Sequence, residues 1–130
     1  MGMILSPILY QSTKERIGFY CPGCEDMHIL RIRTDSNVRP SWEYNGNHHY
    51  PTFNPSVDVK TGHYVSGELQ PPHCEECNEA AIERRPTLCT HCHSYVRNGT
   101  IEFLSDCTHK LVGQTVKIPL LPFYLKDERE

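Results

Sequence analysis

Two cysteines separated by Pro and Gly, Cys21-Pro22-Gly23-Cys24, constrain this chain more than any other stretch. Such a turn aims two sulfurs at one point, as in the knuckle of a tetrahedral zinc site. A knuckle needs two further ligands from elsewhere in the chain. His28 stands four residues beyond the second cysteine, and two more pairs at the same spacing, Cys74/Cys77 and Cys89/Cys92, lie downstream. Of the 130 residues, 38% are hydrophobic and seven are cysteines. That composition supports one modest core, read as a single zinc-binding domain over 1–130, with cross-links supplementing it.

No basic-then-apolar leader opens the chain, and no apolar run nears the roughly 20 residues of a membrane span. The expected location is the cytoplasm, where thiols stay reduced. The odd cysteine count also favours metal ligands over disulfides. A formal net charge of −3 argues against a general phosphate-binding surface.

The expected fold class is mainly β, a small zinc-stabilised domain of zinc-ribbon-like hairpins. Residues 16–20 read as a strand entering the knuckle and 28–33 as one leaving it. Trp42-Glu43-Tyr44 is a short strand. Pro51 and Pro55 hold an extended, kinked segment, and residues 56–60 alternate with two valines facing inward. Asn98-Gly99 between two alternating runs predicts a hairpin with a type I′ turn over 93–104. Residues 115–118 are a last strand. Between these lies a polar, proline-containing stretch, 61–92, read as a cysteine-bearing insertion with at most two turns of helix at 79–85.

The spacing Cys74-x2-Cys77-x11-Cys89-x2-Cys92 matches a structural zinc site of four thiolates, which would clip the insertion. Cys21 and Cys24 then draw their partners from His28, His93, Cys107 and His109. Cys92 joins that pool if the insertion closes with His73 or His91 instead. Cys107 and His109 are two apart and share a side of an extended backbone. The favoured set is Cys21, Cys24 and His109 with His93 or Cys107 as the fourth ligand, giving two zinc ions in all.

A redox role for the first pair would place it at a helix N-terminus, but strand-like residues follow it. A zinc with an open position could hydrolyse an amide or ester, with Asp106, Glu25 or His28 assisting. Against that, Asp106 can cap the turn after the hairpin and the histidines can orient ligands. No His-Glu-x-x-His pattern is present. The residues therefore favour a non-enzymatic module that binds a macromolecular partner, a protein. A zinc hydrolase is the first alternative. Single-stranded nucleic-acid binding through Trp42, Tyr44, Tyr50 and Phe53 is the second.

The chain resembles a family of small zinc-binding proteins of phages and prophages, many of which carry the label "ammonia monooxygenase". The likeness rests on Phe19-Tyr-Cys-Pro-Gly-Cys24 with His28, Trp42-Glu-Tyr-Asn-Gly46 and Pro51-Thr-Phe-Asn-Pro-Ser56. It continues through Cys92-His-Ser-Tyr-Val-Arg-Asn-Gly-Thr-Ile-Glu-Phe-Leu104 and Ser105-Asp-Cys-Thr-His109, and spans nearly all of 17–119. The label does not suit a chain without the spans and copper ligands of a membrane monooxygenase. The resemblance implies a phage-type accessory protein with a metal site, acting on a host protein. Related domains beside bacterial ubiquitin-like conjugation genes imply a role in defence or counter-defence. It also implies that Cys92 moves toward the first knuckle, leaving the insertion with Cys74, Cys77, Cys89 and a histidine.

Overall fold

The computed structural model describes residues 2–34, 38–61, 64–65, 68–69 and 90–125. Among the described residues eleven strands form in order: β1 (Met3–Ser6), β2 (Leu9–Thr13), β3 (Arg16–Cys21), β4 (Asp26–Arg31), β5 (Glu43–Tyr44), β6 (Phe53–Thr61), β7 (Tyr64–Val65), β8 (Glu68–Leu69), β9 (Thr90–Arg97), β10 (Thr100–Phe103) and β11 (Thr115–Lys117). One sheet is the antiparallel meander β1-β2-β3-β4. The second has the order β11-β10-β9-β6-β5, and β7 and β8 pair by themselves. Among the described residues no helix is long and apolar enough to cross a membrane.

The expected β architecture is present, and its punctuation is where turn chemistry puts it. Asn98 and Gly99 both take positive φ, 50° and 79°, the pair that a type I′ turn requires. They join β9 to β10 in the register Thr100↔Arg97 through Phe103↔Ser94. The first knuckle is the tip of the β3–β4 hairpin, closed by Glu25 N–H donating to the Cys21 carbonyl at 2.8 Å. The β1–β2 hairpin was not expected. Met3-Ile-Leu-Ser6 gives no clean alternation, and its Leu9 partner strand carries only one fully buried side chain.

The two large sheets pack through a shared core. Leu9, Ile17, Phe19, Cys21 and Leu30 come from the first; Phe53, Val57, Cys92, Val96, Ile101 and Phe103 come from the second. Phe19 and Phe53 stack across the interface with ring centroids 6.3 Å apart. Truncating either ring would cost about 3–5 kcal/mol. Side chains alternate across a strand, so β9 sends Cys92, Ser94 and Val96 into this core, all at most 2% exposed. Its neighbours His91, His93 and Tyr95 take the other face.

The proposed helix at 79–85, and Cys74, Cys77 and Cys89 of the insertion, lie outside the described residues. β9 already begins at Thr90, so Cys92 stands in the sheet.

Candidate functional site

The inner face of β9 carries a cluster of metal-ligating side chains. Cys21, Cys24, Cys92 and His109 place one donor atom each within 4.8 Å of all the others, a group that can hold a metal ion. Each element supplies its donor for a local reason. Cys21 ends β3 pointing into the core, the knuckle turn brings Cys24 round beside it, and β9 delivers Cys92 from the opposite sheet. His109 arrives on the loop after β10, its ring edge-on to Phe103 at 4.5 Å. The ring lies directly over Gly23, where a Cβ would fall 2.3 Å from it. Only glycine leaves room for His109 there.

The Cys21 and Cys92 sulfurs are 3.9 Å apart. A disulfide needs about 2 Å, whereas a tetrahedral ion with bonds of about 2.3 Å sets neighbouring sulfurs about 3.8 Å apart. The Cys24 amide lies 3.4 Å from Cys21 Sγ, as a donor to a thiolate. Hydrogen bonds from Cys24 and Cys92 pull the Cys21 thiol down, with His28 assisting. The bond to Cys21 pushes Cys24 up to about 12. Burial lowers His109 and favours the neutral ring. Its Nδ1 stands 3.2 Å from the Leu111 amide, and its Nε2 is buried with no partner. Three crowded sulfurs and an orphaned imidazole nitrogen fit a metal ion, and four protein donors complete a tetrahedron.

This grouping departs from the one that spacing favours. Cys92, grouped by spacing with Cys74, Cys77 and Cys89, stands beside Cys21 and Cys24, and the other three cysteines lie outside the described residues. His93 is not part of the group, because adjacent residues of a strand face opposite ways. Cys107 is not part of it either. Its sulfur donates to the His93 carbonyl at 3.1 Å and lies 3.2 Å from the His93 amide. His28 is buried on β4 beside the cluster, edge-on to Phe19, with its Nε2 unpartnered. Of the aromatic patch, Phe53 belongs to the core and Tyr44 stacks on it at 5.1 Å, while Tyr50 is exposed.

The outer face carries a different constellation. His93 Nε2 is 2.9 Å from Ser56 Oγ, and His93 Nδ1 is 3.0 Å from Asp106 Oδ2. A hydroxyl, an imidazole and a carboxylate in that sequence of contacts can act as a nucleophile, a base and the group that orients the base. Ser56 reaches this position through a bulge. Between the pairs Phe53↔Val96 and Val57↔Ser94, β6 has three residues where β9 has one. Bulges re-aim side chains in this way. The bulge is pinned by Trp42 Nε1 donating to the Ser56 carbonyl at 3.2 Å. The preceding turn is tied down by Asn98 N–H to Thr52 Oγ1 and Gly99 N–H to the Pro51 carbonyl.

Asp106 is placed by a loop laced along β9. Leu104 N–H donates to the His93 carbonyl and Thr108 N–H to the His91 carbonyl, and Cys107 adds the sulfur contacts above. Burial works against the Asp106 charge, but the His93 hydrogen bond, its own backbone amide and the nearby His93 and His91 hold it below the usual carboxylate range. An ionised Asp106 accepts a proton-bearing Nδ1, which leaves the Nε2 lone pair for the Ser56 hydroxyl. His91, stacked on His93, bonds Asp58 Oδ1 through Nε2 at 2.5 Å and lies 3.8 Å from Asp106 Oδ2.

Sequence reasoning passed over Ser56, reading it as the first residue of a strand. Asp106 was weighed as an assistant to a metal, and His93 as a ligand. The one available signal was strand parity: Ser56 and His93 both flank an inward residue, Val57 and Cys92, and so share the outer face.

No curated protein and no solved structure matches the chain. One protein family does, over residues 4–104, a range that includes Cys21, Cys24, Ser56, Cys92 and His93 and ends just before Asp106. Its description names a bacterial ubiquitination-like system and a serine protease, and neither a phage nor zinc. The chain belongs to the bacterial ubiquitination-like system serine protease (BubE) family.

Proposed function

We propose that this protein is a serine protease that cleaves an amide bond at the tail of a ubiquitin-like protein, with Ser56 as nucleophile. The observation that carries this reading is the pair of contacts at His93, 2.9 Å to Ser56 and 3.0 Å to Asp106. His93 takes the Ser56 proton on Nε2 as Oγ bonds to the substrate carbonyl carbon. The C–N bond then breaks, and Nε2 returns the proton to the leaving amine. Water, deprotonated by the same nitrogen, releases the acyl group from Ser56. Asp106 keeps the Nδ1 tautomer throughout and stabilises the imidazolium. The chemistry is hydrolysis, as in the zinc-hydrolase alternative, but the reacting groups lie on the other face of β9.

The ion suited to Cys21, Cys24, Cys92 and His109 is zinc, whose structural sites use this donor set. Held by these four donors, it would tie β3, β9 and the loop after β10 together with no position left for water, and its role would be to hold the fold. A ubiquitin-like substrate is the protein partner, in keeping with the defence setting that the resemblance implies.

The test uses a ubiquitin-like protein carrying a fluorogenic amide at its C-terminal glycine. The native enzyme should release the fluorophore, and Ser56→Ala should lose about 10⁴–10⁶ in rate while keeping its metal. Release by Ser56→Ala at the native rate would overturn the assignment.

A further inference from the structure

We propose that Asp58, His91, His93 and Asp106 form a second, inhibitory site for a divalent first-row metal ion such as zinc, overlapping the serine triad. The inhibition rests on the serine-protease reading; the metal site rests on geometry alone. Asp58, His91 and His93 place one donor atom each within 4.8 Å of one another. Asp106 Oδ2 extends the group, 3.0 Å from His93 Nδ1 and 3.8 Å from His91 Nε2. Two imidazoles and the Asp58 carboxylate, with Asp106 beside both histidines and no sulfur, suit zinc and its neighbours.

The two imidazoles form the fixed part of the site, and the exposed Asp58 and Asp106 carboxylates flank them. His91 is 8% exposed, its Nε2 is already held against Asp58, and its ring stacks on His93 with centroids 6.0 Å apart. The bond between His91 and Asp58 is a further feature of this face, outside the contacts that join Ser56, His93 and Asp106.

The chemical consequence follows from which nitrogen is taken. As the His93 donor we assign Nδ1, the nitrogen that shares Asp106 Oδ2 with His91 Nε2. Donating the Nδ1 lone pair to a metal moves the ring proton to Nε2, with no net change in protonation. Nε2 then points an N–H at Ser56 Oγ and has no lone pair with which to accept the Ser56 proton. The same ion draws Asp106 from its orienting task. Occupancy therefore switches the base off without displacing Ser56.

The experiment titrates free zinc, set by a metal buffer, against native protein that retains its cysteine-bound metal. The readout is the rate at which a fluorophosphonate labels Ser56. Labelling should fall as zinc rises. Asp58→Asn should label at the native rate without added zinc and need at least about ten-fold more zinc for the same inhibition. In parallel, cobalt(II) added to native protein should fill a site with weak d–d bands and no thiolate charge-transfer absorption, and Asp58→Asn should lose that site. Equal zinc sensitivity of native and Asp58→Asn protein, or cobalt bound only with thiolate absorption, would overturn the proposal. Absence of Ser56 labelling at the lowest zinc would instead count against the protease reading, and the cobalt spectra would still decide the metal site.

Discussion

On the proposed reading, the two faces of β9 differ in the way that holding differs from reacting. On the inner face Cys92 meets Cys21, Cys24 and His109, four donors drawn together; Cys21 and Cys92 are buried, and the set is complete. On the outer face His93 uses both ring nitrogens, one toward Asp106 and one toward a half-buried hydroxyl. A tetrahedron closed by these four donors would leave nothing for a substrate to displace. A serine beside a base leaves the nucleophile able to turn outward. One peptide bond separates the residues that carry these tasks, and the period of the strand keeps the tasks apart.

The strongest way to break this comparison is at Cys92. Cys92→Ser should lose one bound metal and with it the folded state, since structural zinc is worth about 10–16 kcal/mol in small zinc peptides, as much as a domain's whole stability. Metal analysis and thermal unfolding of the same sample check it. A folded, metal-replete variant would separate Cys92 from the cluster.

Asp106→Asn probes the outer face. It should lower kcat by about 10⁴, the effect of presenting the wrong tautomer to the nucleophile, while metal content stays unchanged. Its pH signature is smaller. The Asp106 carboxyl is held below its ordinary value in the folded protein, so its stabilising contribution is present above the unfolded value and is lost as pH falls through the lower folded one. The stability difference between native and Asp106→Asn protein should stay flat above about pH 5 and narrow only below about pH 4. Denaturant titrations across that range check it.

The inner face was half legible in the sequence and the outer face hardly at all. Cys21-Pro22-Gly23-Cys24 announces convergent sulfurs because two cysteines on one tight turn have little choice. Asn98-Gly99 announces the hairpin because few pairs tolerate positive φ twice. Cys92 was ambiguous for a physical reason: spacing measures distance along the chain, and its partners at 21, 24 and 109 are brought near by sheet packing alone. Parity could have excluded His93 as a companion ligand to Cys92, since neighbours on a strand face opposite sides. Ser56 carried no local mark. No tight glycine elbow surrounds it, and its aim comes from a bulge whose register depends on β9. Asp106 depends on the Cys107 and Thr108 contacts that lash its loop to β9, none of which spacing reveals.

The division of tasks across β9 is tested most directly in His93→Gln, by measuring bound metal and fluorophosphonate labelling of Ser56 in one sample. The predicted result is a full complement at the cysteine site, a stability loss of about 1 kcal/mol, and labelling slowed by at least about 10³. Labelling at the native rate, or loss of the cysteine-bound metal along with activity, would contradict it.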